Sequence, residues 1–129
     1  NGLTRRRKAE GLLFQKWLIR HETEYDTFEF DVHVGRGALL PPEEKDAIAR
    51  GFTALTQKRI DVIAKKGNAV IIIEVRPRAD HTAIGNLAAY KLLFEQDFRP
   101  VTGVLVVSDH IAIDDQAVFN SLKIPFETV

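Results

Sequence analysis

The sequence contains no cysteine and no methionine, and a single tryptophan among its 129 residues. Without cysteine there is no disulfide framework, no thiolate metal site and no thiol nucleophile, which leaves hydroxyl, imidazole and carboxylate chemistry. Long apolar stretches are also missing. The longest uninterrupted one, Ala69 to Ile73, is far shorter than the roughly 20 residues a membrane helix requires. No charged-then-apolar leader opens the chain. The expectation is a soluble, cytoplasmic protein with no membrane partner, and a start at Asn1 without methionine is expected of a processed or trimmed end. Repeats, low-complexity tracts and linkers are absent, so residues 1–129 read as one domain. At this size about two-thirds of the unfolded surface can be buried, enough for a core without staples.

Net charge is zero, with 18 basic and 18 acidic side chains, but it is unevenly spread. Residues 1–20 carry six basic residues (Arg5, Arg6, Arg7, Lys8, Lys16, Arg20) against Glu10, and the rest of the chain carries the matching acidic surplus. The block Arg5, Arg6, Arg7 and Lys8 suits phosphate tracking or an acidic protein surface; a solvated first turn of a helix accounts for it equally well.

Hydrophobic periodicity orders the elements. Leu12, Leu13 and Trp17, widened by Phe14 and Leu18, predict a helix from about Thr4 to Arg20. Phe28, Phe30, Val32 and Val34 alternate with polar residues and predict a strand with one buried face, ended by Gly35-Arg36-Gly37. Pro41-Pro42 before Glu43 and Glu44 predicts a helix start, and Gly51 weakens that helix. Arg59 to Ala64 and Ala69 to Arg76 are β-rich runs around Gly67-Asn68, a two-residue hairpin turn. A helix from about His81 to Glu95, a wholly uncharged strand from Val101 to Val107, a helix from Asp114 to Leu122 and a short strand from Ile124 to Val129 complete the order. The strand at 101–107 is apolar toward both faces, which requires helices on each side of the sheet. The fold class is α/β: a three-layer sandwich with a mixed central β-sheet flanked by helices.

The hairpin brings two acids together. With Gly67 and Asn68 as the turn, Asp61 faces Glu74; with a four-residue loop Asp61 faces Ile72 and Glu74 becomes its diagonal neighbour on the same face. A three- or five-residue loop would separate them. Two carboxylates at the edge of a core must share a proton, pair with cations such as Lys58, Arg59 or Arg76, or hold a divalent metal through hard oxygen ligands. An ordinary ion-pair cluster at a sheet end is the plainer account. The four histidines show no metal-ligand spacing, and Ser108 and Ser121 lack a nucleophile context.

Arg59-Ile60-Asp61, then twelve residues, then Glu74-Val75-Arg76, followed by the helix Ala83-Ile84-Gly85-Asn86-Leu87-Ala88-Ala89-Tyr90, resembles the PD-(D/E)XK nuclease superfamily, which includes Holliday-junction resolvases and related phage and restriction nucleases. The resemblance is carried by residues 58–94 and implies a restriction-endonuclease-like fold. In that family the Asp and the Glu of E-x-K bind one or two Mg²⁺ ions, the Lys assists the attacking water, a Glu of the first helix often completes the metal shell, and the next helix often reads G-Q-L-x-x-Y. It implies Asp61 and Glu74 as metal ligands for Mg²⁺ or Mn²⁺, Glu10 as the third, and Asn86 and Tyr90 as supporting residues. Arg76 takes the position of the family lysine in the catalytic set Asp61, Glu74 and Arg76, and Asn86 replaces the glutamine. A guanidinium is bulkier and cannot act as a base, although it can stabilise charge. DNA is the implied partner, through Arg5 to Lys8. Two functions are consistent with this pattern: a Mg²⁺-dependent DNA endonuclease with a weakened site, or a non-catalytic structural or adaptor protein reusing the fold, such as a phage virion or assembly component, with protein partners or copies of itself. The second would make the protein virion-associated rather than cytoplasmic.

Overall fold

The central hairpin sets the frame. Strands β2 (Lys58–Lys66) and β3 (Ala69–Arg78) run antiparallel, with Val62 opposite Ile73, Ile63 opposite Ile72 and Lys66 opposite Ala69. This is the register of a two-residue turn. Gly67 holds φ +56°, which a glycine adopts without steric cost, and its N–H donates to Asp26 Oδ2 at 2.7 Å. This computed structural model describes residues 2–38, 50 and 56–129, except for the side chains of 2–6. The helix expected after Pro42 lies outside the described residues.

β1 (Thr27–Val34) pairs antiparallel with β2, β4 (Gly103–His110) runs parallel to β3, and β5 (Phe126–Thr128) runs parallel to β4. The mixed sheet has the order β1-β2-β3-β4-β5. The two parallel pairings need crossovers, supplied by α2 (Thr82–Asp97) and α3 (Ile113–Ser121). Their Ala83, Leu87, Phe94 and Phe119 pack with Ile63, Val70, Ile72 and Val106. On the other face, Leu13, Phe14 and Trp17 of α1 (Gly2–His21) pack with Val62, Ala64, Ile73, Val75, Leu105 and Val107. The result is the expected three-layer α/β sandwich. β4 feeds both cores, as an interior strand must. Leu12 of α1 and Leu92 of α2 fall outside the buried stripes, with 55% and 57% of their surface exposed. Among the described residues no helix is long and apolar enough to cross a membrane.

One sequence expectation is overturned. Phe28, Phe30, Val32 and Val34 do not share a face: Phe28 packs under α1, and Phe30 meets the ring of Phe14, whereas Val32 and Val34 join the core under α2. β2 switches at the same level, because Ile60 packs under α2 and Val62 under α1. The switch is centred on Asp31, whose φ of +52° is left-handed, and on Asp61. Pairing resumes beyond them with Val32 opposite Ile60, so no residue is gained or lost and the two strands kink together.

Candidate functional site

The candidate site lies where the sheet forks. The β2–β3 pairing stops at Val62 and Ile73. Beyond that point β2 follows β1, and β3 follows β4 with Glu74 opposite Val106 and Arg76 opposite Ser108. Asp61 sits in the opening, and its Oδ2 accepts the Val75 N–H at 3.0 Å. A side-chain carboxylate thus supplies the acceptor that the interrupted ladder no longer offers. The acid pair is therefore bridged across a parting of strands and is not a simple cross-strand pair.

Glu74 is 1% exposed. Its Oε1 accepts Arg76 Nε at 3.4 Å, while Oε2 is buried without a hydrogen-bond partner. Burial, followed by the negative charge of the neighbouring Asp61, pushes its carboxyl from 4.5 up to about 7. Arg76 and the Asn86 amide pull the other way, and the Asn86 contact does not close a hydrogen bond of normal geometry. Half-buried Tyr90 on α2 is pushed up to about 12, first by burial and then by the charges of Glu74 and Asp61. Arg76 feels burial, which disfavours its charge, and the stronger opposing pull of Glu74, Asp61 and Glu10 together. Of the cations expected to serve the pair, Arg76 takes Glu74.

The fold therefore gathers Glu10, Asp61, Glu74, Arg76, Asn86 and Tyr90 around the fork from α1, β2, β3 and α2. Each arrives for a local reason. Asn86 and Tyr90 are four residues apart on α2, one turn of the same face, and Glu10 lies one turn before Phe14 on the buried side of α1. Arg7 lines a cleft beside Asp61, and Lys8 is exposed. The side chains of Arg5 and Arg6 lie outside the described residues. Among the described residues no three or more histidine, aspartate or glutamate side chains converge into a metal cage. Two carboxylates can still suffice for Mg²⁺, which keeps several waters, and the donorless buried oxygen of Glu74 fits such an ion.

Sequence reasoning missed Asp31 and Phe30. Both line the cleft of about 180 Å³ that reaches Asp61, and Phe30 is 55% exposed. Regular alternation in Phe28 to Val34 hid the kink that turns them toward the site. Ser108, buried at 0% exposure, is structural: its Oγ accepts the Ala79 N–H at 3.0 Å and faces the carbonyl oxygens of His110 and Pro77 at 2.9 and 3.2 Å.

No protein-family model matches the chain, and no curated protein matches it. Among solved structures the chain is similar to a repair endonuclease from Pyrococcus abyssi, with a TM-score of 0.47 and 13% identity over 78% of this chain and 39% of that one. The chain thus spans well under half the length of that endonuclease.

Proposed function

We propose that the chain is a nuclease-like domain of PD-(D/E)XK type, a metal-dependent phosphodiesterase on DNA whose activity is held low by Arg76. The observation that carries this reading is Glu74: a carboxyl 1% exposed, beside a second acid, with one oxygen lacking any donor. Such a group costs stability, and a purely structural core gains by replacing it with an apolar side chain. Asp61 and Glu74 would hold Mg²⁺ or Mn²⁺ through hard oxygen donors, with Glu10 near enough to act on the charge of Arg76. The bound cation would polarise the phosphate and lower the pKa of water. The residues do the remaining work. The Val75 N–H orients Asp61, Asn86 and Tyr90 flank Glu74, and Arg76 offers a fixed positive charge to the phosphate. Arg76 cannot take a proton from water as a tuned lysine can, so turnover is slow. Arg5, Arg6, Arg7 and Lys8 supply non-specific attraction to phosphates.

One observation favours a second reading. The Arg76 guanidinium stands 3.4 Å from one acid, as expected of an adaptor or assembly protein that reuses the fold and engages protein partners or its own copies. Nicking of supercoiled and branched DNA in Mg²⁺ and Mn²⁺ separates the two. Weak wild-type cleavage that rises in Arg76→Lys and vanishes in Asp61→Ala supports the nuclease reading. No cleavage by either wild type or Arg76→Lys leaves the adaptor reading ahead.

A further inference from the structure

Beside the acid pair, α1 and β1 leave an open cleft of about 180 Å³ floored by Val62 and Val75 and ending at Asp61. Its lining mixes two aromatic rings, Phe14 and Phe30, with the polar side chains of Arg7, Glu10 and Asp31. Two features set this cleft apart from a packing defect. Phe30 keeps 55% of its surface exposed while its ring meets Phe14 edge to face, at 5.7 Å and 83°. An aromatic held by a neighbour yet open to solvent is a ready stacking surface. Gly11 is the second feature. It lies in the middle of α1, where glycine weakens a helix, and a Cβ built on it would meet nothing within 4 Å. No neighbouring atom excludes a side chain there, and the glycine leaves this part of the cleft lining bare.

We infer that this cleft receives one unstacked nucleobase of the substrate strand, with Phe30 as its stacking platform, and that the substrate class is nucleic acid containing unpaired nucleotides. The inference rests on the proposed nucleic-acid reading and extends it to substrate structure. A base inside an uninterrupted duplex is covered on both faces by its neighbours and cannot enter; an unpaired base in a single strand, flap, bulge or junction enters at little cost. Aromatic stacking is tolerant of base identity because every base has a π-face. Exposed Arg7 puts a cation beside the backbone of the same nucleotide, while the Asp31 carboxylate can accept from donor groups on the base edge. The continuity of the cleft with Asp61 seats the phosphate next to that base at the acid pair.

The test is equilibrium binding by fluorescence anisotropy, with Ca²⁺ replacing Mg²⁺. It uses a labelled single strand, the same strand carrying abasic sites, and the fully paired duplex. Wild type should bind the single strand at least about tenfold more tightly than the abasic strand or the duplex. Phe30→Ala should weaken single-strand binding about 5- to 100-fold, the range of one lost stacking contact, and Phe30→Tyr should restore it. Gly11→Leu should fill the cleft and weaken single-strand binding to the same degree while keeping α1 intact, since leucine is the better helix former. Duplex binding should change less than about twofold in every variant. Single-strand binding that survives both Phe30→Ala and Gly11→Leu, or equal affinity for abasic and intact strands, overturns the inference and leaves the nuclease reading standing. Failure of wild type to bind any nucleic acid at low salt overturns both.

Discussion

Replacing Glu74 by glutamine isolates the cost of the buried acid pair. The carboxyl ionises at about 7 in the folded chain against 4.5 ordinarily, so across that interval the native state holds its proton more tightly than the unfolded chain does. Stability must therefore fall as pH rises from about 4.5 to about 7, and the loss is complete above that. At about 1.36 kcal/mol per pH interval of one, the full penalty is about 3 kcal/mol. Glutamine carries no charge to desolvate, and its amide can serve both neighbours, the oxygen accepting from Arg76 and the nitrogen donating to Asp61. Glu74→Gln should equal wild type near pH 4 and exceed it by about 3 kcal/mol at pH 8, a rise in Tm on the order of 10 °C for a chain of this size. Thermal unfolding followed by circular dichroism in EDTA, from pH 4 to pH 8, gives the difference curve directly and cancels the titrating groups that do not interact with Glu74. Added Mg²⁺ should then raise the Tm of wild type at pH 8 and leave Glu74→Gln unmoved, because only the ionised carboxylate competes for the cation. A difference curve that is flat in pH, or a glutamine variant less stable than wild type at pH 8, would refute the reasoning; either would mean that Arg76 already compensates the buried charge.

Asp61→Ala leaves the Val75 N–H without its acceptor and should cost about 1–3 kcal/mol in urea unfolding, whereas Asp61→Asn keeps an acceptor and should cost less than about 1 kcal/mol. Both should abolish stabilisation by Mg²⁺, and an Asp61→Ala variant still stabilised by the ion would remove this residue from the metal set. His21 places Nδ1 at 2.6 Å from Glu24 and Nε2 at 2.9 Å from Glu127, an arrangement in which the protonated ring donates from both nitrogens. Burial disfavours that charge, but the two carboxylates outweigh it and raise the pKa above 6.5. Its contribution is thus complete below pH 6.5 and disappears as pH rises through the higher folded value. His21→Gln should destabilise by about 1 kcal/mol at pH 6 and by much less at pH 9, and an equal loss at both would show that stacking on Trp17 matters instead. Ser108→Ala strands the Ala79 N–H in a fully buried setting and should cost about 1–3 kcal/mol without altering the Mg²⁺ response; a lost response would place Ser108 in the site.

The chain's local chemistry determined a good deal. Gly67-Asn68 sets the hairpin turn, because a glycine there reaches positive φ freely, and the turn length in turn sets the register of Lys66 on Ala69. The uncharged run into β4 required a core on both faces, and that core exists. Glu10, Asn86 and Tyr90 were legible only through the resemblance of the hairpin and its following helix to a nuclease family, since no apolar stripe marks Glu10 or Asn86 as facing inward. The fork was beyond the reach of local chemistry. Whether Asp61 meets Glu74 across a ladder or a gap depends on β1 and β4 drawing β2 and β3 apart, and those pairings join residues far apart in the chain. The same holds for the kink at Asp31 and Asp61, which reverses the inside and outside of Val32, Val34 and Ile60 without disturbing their alternation. The exposure of Phe30 and the partnership of Glu74 with Arg76 were likewise decided in three dimensions. A pattern of apolar residues states which side chains avoid water; only the packed sheet and helices determine which surface is left for them to meet.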